Sequence, residues 1–175
     1  MKYIWRLGVV GVLLWGTPMM AKQPKKSEAK TPSPVSVTSQ SYQMVTKKTK
    51  GKNGKIKTVK KWVHATKVVP GTIIKYIDTV SNHTKKPLAN LAIKNPINPH
   101  LAYVAQSASS ETNATILFSV DGGKHFDVPK KLMIRDLKSG KKRLASPKEY
   151  NAIQWIIASV PPESNTTVAF RAKLK

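Results

Sequence analysis

The chain has 175 residues, no cysteine, and 31 Lys and Arg against 8 Asp and Glu, a formal net charge of +23 at pH 7. The missing thiols exclude a disulfide-stapled scaffold, Cys-based zinc sites and cysteine nucleophiles. So large a cationic excess attracts anionic surfaces and polymers through a summed field that salt weakens, which fixes the sign of a partner without naming it.

At the N-terminus, Lys2 and Arg6 precede an apolar run from Leu7 to Trp15, and Thr17-Pro18 leads to Ala21 before the first lysine of a polar stretch. This is the layout of a secretory signal peptide over 1–21, with removal near Ala21. A buried helix and an uncleaved anchor are the alternatives, but the apolar core falls short of the ~20 residues a membrane span needs. The reading predicts an exported protein, periplasmic or at the cell surface or secreted, with no transmembrane span in the mature chain. Residues 22–34 carry Lys, Pro, Ser and Thr with almost no large apolar side chain, so they read as a disordered basic leader.

From Val35 the texture changes. Val35, Val37, Tyr42, Met44 and Val45 stand among Ser, Thr and Gln as in an exposed strand, Lys50 to Lys55 supplies a Gly-Asn-Gly turn, and Ile56, Val59, Trp62 and Val63 form a returning arm. The region 35–66 is thus expected to be a basic β-hairpin extension. Period 2 would send many of its lysines to one solvent face, making Lys52, Lys55, Lys57, Lys60, Lys61 and Trp62 candidate contacts to an anionic polymer. The competing reading is an edge hairpin that uses lysines to discourage strand-to-strand aggregation.

Val69-Pro70-Gly71 reads as a turn, and Ile73 to Val80 as a strand with Ile74, Tyr76 and Val80 on one apolar face. Asp78 falls on that same face, where a carboxylate is hydrogen-bonded, displaced outward by a bulge, or chemically employed. Leu88, Leu91 and Ile93 mark another strand, which Asn95-Pro96-Ile97-Asn98-Pro99 is expected to stop. Leu101, Tyr103 and Val104 begin the next, and 107–113 reads as a polar connection. Ile116, Phe118 and Val120 alternate up to Asp121-Gly122-Gly123, a hairpin signal with a short return through Phe126 and Val128. Residues 132–144 read as an edge hairpin or a loop around Lys138-Ser139-Gly140-Lys141. Ser146-Pro147 opens one helical turn, and strands follow on Ile153, Trp155, Ile157 and on Val168, Phe170, Ala172, Leu174.

Short strands separated by turn signals, with no longer helix-period segment after the leader, predict an all-β fold. Its simplest closure is an immunoglobulin-like antiparallel β-sandwich of about 7–9 strands. The ordered series Val69-Pro70-Gly71, Tyr76, Asn82, Asn95-Pro96, Leu101, Tyr103-Val104, Phe118 to Gly123, Trp155 and Phe170 resembles the DUF11-like conserved repeat domain of bacterial exported and surface proteins, over 67–175. The resemblance implies a non-enzymatic structural or adhesive module and supplies no catalytic residues. This chain departs from it in carrying one copy, in showing no C-terminal sorting signal, and in placing Asp78 where the family pattern has an apolar residue.

Catalytic, cofactor and metal residues are expected to be absent. His64, His83, His100 and His125 lie far apart, and no paired metal-ligand spacing or nucleophile elbow occurs. Asp121 and Asp127 superficially suggest calcium, but the glycines and Lys124 between them favour a turn. Three Asn-x-Thr triplets, at Asn82, Asn113 and Asn165, read as polar loops. One sharper possibility makes Asp78 the buried acid of a Lys–Asn crosslink, with Asn82, Asn90 or Asn95 as acceptor. The partners this predicts are envelope proteins or, alternatively, an anionic envelope polymer held by the 47–67 ribbon; no specific nucleic acid is predicted.

Overall fold

The computed structural model describes residues 33–50 and 55–175. The expected signal peptide, the leader up to residue 32 and the hairpin tip 51–54, with Lys52, lie outside the described residues. Among the described residues, eleven strands run in chain order: β1 Val35–Lys50, β2 Ile56–His64, β3 Ile73–Asn82, β4 Leu88–Pro96, β5 Leu101–Tyr103, β6 Ser109–Ser110, β7 Ala114–Ser119, β8 Met133–Arg135, β9 Lys142–Leu144, β10 Ala152–Val160 and β11 Asn165–Leu174. A six-stranded sheet has the order β2-β1-β3-β11-β5, with β6 also on β11, and a three-stranded sheet has the order β4-β10-β7. All pairings are antiparallel, and the two sheets pack as an immunoglobulin-like β-sandwich.

Alternation builds this core. On β11, Thr166, Val168, Phe170 and Ala172 are buried while Lys173 is exposed, and on β10 Ile153, Trp155 and Ile157 are fully buried. Register places Trp155 between Ile93 of β4 and Ile116 of β7, and its ring lies 6.1 Å from Phe170 of the opposite sheet. Tyr76 stacks on Phe170 at 4.9 Å, and the Trp155 indole N–H donates to the Ser109 carbonyl at 3.1 Å. The buried ring therefore satisfies its one polar group, as a core tryptophan must. The Val69-Pro70-Gly71 turn forms as read, with Gly71 at φ +86 and Thr72 N–H bonding Val69 O at 3.0 Å.

Four features depart from the sequence reading. First, residues 35–66 are not simply an appended hairpin: Val35 to Gln43 pair with β3 and so complete the larger sheet, while Tyr42 to Lys50 pair with β2. Val35, opposite Asn82, packs on the core, which draws the first half of β1 into the sandwich. Second, β4 runs two residues into the stretch expected to stop it, taking in Asn95 and Pro96 before it ends there. This strand lies at a sheet edge, where a proline costs no ladder bond on its outer side.

Third, the return strand after Asp121-Gly122-Gly123 shrinks to one bridge between Phe118 and Asp127. Asp121 explains this, because its carboxylate accepts the backbone N–H groups of Lys124 and His125 and winds the chain into a wider loop. Fourth, the polar stretch after Ser107 contains β6, which pairs with Val168 and Ala169. The segment 132–144 resolves as the β8–β9 hairpin, and Pro147–Glu149 forms one 3-10 turn.

Candidate interaction surface and the buried acid

The hairpin projects past the sheet, since beyond Gln43 β1 has only β2 beside it. Its register sets Val45 opposite Lys61, Lys47 opposite Val59 and Thr49 opposite Lys57 on one face. The other face pairs Met44 with Trp62, Thr46 with Lys60, Lys48 with Thr58 and Lys50 with Ile56. The hairpin lysines thus divide between the two faces. Lys57 and Lys61 point to one side, with Lys55 following the same alternation, while Lys60 and Trp62 point to the other. Adjacent lysine pairs at 47–48 and 60–61 cannot share a side of a period-2 strand.

The Trp62 side continues onto the outer face of the sheet. Tyr42 lies between His64 and Lys75, and Lys75 lies opposite Arg171, so four strands contribute one cross-sheet row. The Tyr42 and His64 rings meet at 4.6 Å. Lys75 and Arg171 are like charges placed directly opposite, a mildly unfavourable pairing that an anion would relieve. Among the described residues, no carboxylate comes within 4.0 Å of either group or of any hairpin lysine.

Asp78 sits inside the sandwich, 4% exposed, on the face with Ile74 and Val80. No bulge turns it out. Its Oδ2 accepts the Asn95 side-chain amide at 2.8 Å, a polar bridge between the two sheets, and its Oδ1 is buried without a partner. The acid and one candidate acceptor of the crosslink are thus together, but the third participant is not. No lysine nitrogen lies within 4.0 Å of Asp78 among the described residues.

Asn82 has a different task. It is 1% exposed, donates its amide to the carbonyls of Lys86, Val160 and Pro161 at 2.8–3.2 Å, and accepts from the backbone N–H and hydroxyl of Thr84. Its triplet is a loop lock, and the side chain is buried rather than presented to solvent. Asn90 is exposed on β4 at φ +52, away from this network.

Three of the other acids hold turns. Asp121 accepts from His125, Ser119 and Lys124, and the backbone N–H of His125 is the first cause of a carboxyl held far below its usual range. Ser119, Asp121 and His125 are not a hydrolytic triad, since Ser119 is fully buried and donates to the acid instead of to the imidazole. Asp136 is lowered to about 2, chiefly by the Ser139 backbone N–H. Glu149 is lowered to about 2 by a two-pronged contact from Arg143 at 2.9 and 2.7 Å, which pushes the guanidinium up in turn. Arg143 also donates to Asp136 at 3.2 Å, so one side chain ties the β8–β9 hairpin to the Pro147 turn. Among the described residues, no group of three His, Cys, Asp or Glu is placed to hold a metal ion, and no helix is long and apolar enough to cross a membrane.

No protein-family model matches the chain, and no curated protein is similar to it in sequence. One solved structure is similar: a protein from Corynebacterium diphtheriae described as a "Putative membrane anchored protein", at 17% identity and a TM-score of 0.42. The similarity covers 86% of this chain and 29% of that one, so this chain spans under a third of that protein's length.

Proposed function

We propose that this protein is an exported β-sandwich module of the bacterial cell envelope, structural or adhesive, which works by surface contact with other envelope proteins and not by catalysis. The observation that carries this reading is how six of its eight carboxylates are used. Asp78, Glu111, Asp121, Asp127, Asp136 and Glu149 each accept hydrogen bonds that fix a turn or a sheet contact. A general acid or nucleophile needs a group held in reserve near a substrate cavity, whereas these acids are consumed by the scaffold. The leader at 1–21 and the DUF11-like series of turn and core residues support the envelope placement. Fractionating the native cell tests it: recovery of the protein in periplasm, envelope or medium supports the reading, and recovery in the cytosol refutes it.

A second reading is favoured by the basic hairpin and the His64-Tyr42-Lys75-Arg171 row. These form a cationic surface with aromatic rings, suited to an anionic envelope polymer. Counterion release would then drive binding and make it collapse as salt rises. Replacing Lys55, Lys57, Lys60 and Lys61 with Gln should abolish retention on heparin and on purified envelope if this reading holds; unchanged retention removes it.

A further inference from the structure

Along the outer side of β5 runs a trough whose origin lies in an interrupted strand. β5 and β6 both pair with β11, but between them the chain leaves the sheet in a turn at Val104–Ser107, with Gln106 at φ +56. The Tyr103 hydroxyl accepts the backbone N–H groups of Ser107 and Ala108 at 3.1 and 3.0 Å, which pins that turn and fixes the ring. Space opens behind it, about 420 Å³, walled by Tyr103, Ile116, Phe118, Pro129, Pro147 and Tyr150. The three rings brace one another, with centroids 4.7 Å apart for Phe118–Tyr150, 5.2 Å for Tyr103–Phe118 and 5.8 Å for Tyr103–Tyr150. Such a wall is preformed, so an apolar group entering it orders nothing further.

A second depression of about 510 Å³ adjoins it between β5 and the Pro147 turn. A third, about 440 Å³, is bordered by Lys148, Lys173 and Lys175. The second shares Tyr103, Ala105 and Pro147 with the first, and Ala102, Lys148 and Lys173 with the third, so the three lie side by side along this edge. Lys148 and Lys173 are exposed, and among the described residues no carboxylate lies within 4.0 Å of either. The trough is therefore aromatic at one end and cationic at the other. Its long wall is β5, the outermost strand at this edge of the six-stranded sheet.

We propose that the trough receives an extended acidic segment of a partner protein, with one aromatic or large aliphatic side chain seated among Tyr103, Phe118 and Tyr150 and a carboxylate against Lys148 and Lys173. The proposal rests on the protein-contact reading above and names the chemistry of the partner. An extended chain suits a trough laid along a sheet edge, where backbone groups supply affinity and pockets for alternate side chains supply specificity. Complementary charge selects an acidic segment, and a basic one meets like charge at the Lys148 end.

The test uses the full chain as bait for a random-peptide phage library, with fluorescence anisotropy of the enriched peptides. Two variants change exposed positions: Ala105→Trp, which fills the trough, and Lys148→Glu with Lys173→Glu, which reverses its charge. Thermal midpoints equal to the parent's establish that both are folded. The expected peptides place Phe, Trp, Tyr or Leu near Asp or Glu, and bind each variant at least about tenfold more weakly. The charge-reversed variant should instead enrich Lys- and Arg-bearing peptides. No enrichment, or enriched peptides that bind both variants as tightly as the parent, overturns the assignment. Retention on native envelope that survives in both variants also overturns the trough while leaving the protein-contact reading standing.

Discussion

Replacing Asn95 with Leu isolates the polar bridge that joins the two sheets. Among the described residues, the Asn95 amide is the one hydrogen-bond partner of the Asp78 carboxyl group, which is 4% exposed. Removing it leaves both Asp78 oxygens unpartnered inside the sandwich, at a cost of ~2 kcal/mol from stranding a buried polar group. A domain of this size loses roughly 2–4 °C of thermal midpoint per kcal/mol, so the variant should melt about 4–8 °C lower. Asp78→Leu acts differently, because Asn95 is only half-buried and its freed amide can reach water. The cost should stay below ~1 kcal/mol, since the change also removes a buried acid whose Oδ1 lacks a partner. The sign prediction concerns the double variant. Asp78→Leu placed on Asn95→Leu should restore stability, giving a coupling of about 1–2 kcal/mol by urea denaturation. Costs that simply add, or a double variant less stable than Asn95→Leu alone, would refute the bridge as the reason Asp78 is tolerated in the core.

Asn82→Ala removes the buried amide shared by three carbonyls and the acceptor of the Thr84 N–H, although Lys86 O and Pro161 O keep the Thr84 and Ser164 hydroxyls, so it should cost ~2 kcal/mol by chemical denaturation; a loss under about 1 kcal/mol contradicts the lock. Asp136 and Glu149 are depressed to about 2 from ordinary values of 3.8 and 4.5, so their contribution to stability is present above those ordinary values and disappears as pH falls toward 2. Arg143→Met should remove the Glu149 share of that acid limb and leave most of the Asp136 share, which the Ser139 N–H sets; an unchanged limb would show that the clamp does not contribute to it. Intact mass should equal the value calculated for the processed chain, because among the described residues no lysine nitrogen lies within 4.0 Å of Asp78; loss of one ammonia would establish a crosslink that this geometry does not provide.

The sandwich was legible where alternation was clean. Ile153, Trp155 and Ile157, and Val168, Phe170 and Ala172, announce strands buried on one face, and their buried faces are the ones read. The Asp78 anomaly was also visible, because period 2 put an acid between Tyr76 and Val80. Its partner was legible only as one of three asparagines, Asn82, Asn90 or Asn95, since nothing local links β3 to a half-buried side chain on β4 of the other sheet. Asn95-Pro96-Ile97-Asn98-Pro99 did mark the end of β4, which reaches Pro96 because a proline that would break a central strand is harmless on an edge. The Gly122-Gly123 signal misled, because the Asp121 carboxylate outbid the hairpin ladder for the N–H groups of Lys124 and His125. The division of the lysines between two faces followed from their adjacency and needed only stricter counting. The trough could not have been read, for it depends on a turn pinned across sequence by the Tyr103 hydroxyl and on rings drawn from three separate segments.

The most direct test of the contact account compares retention of the full chain on native envelope fractions before and after the envelope is stripped by protease, at moderate salt. Contact with envelope proteins predicts retention that survives the salt and vanishes with the stripping. Retention that survives protease and disappears in salt would contradict it and assign the protein to an anionic polymer.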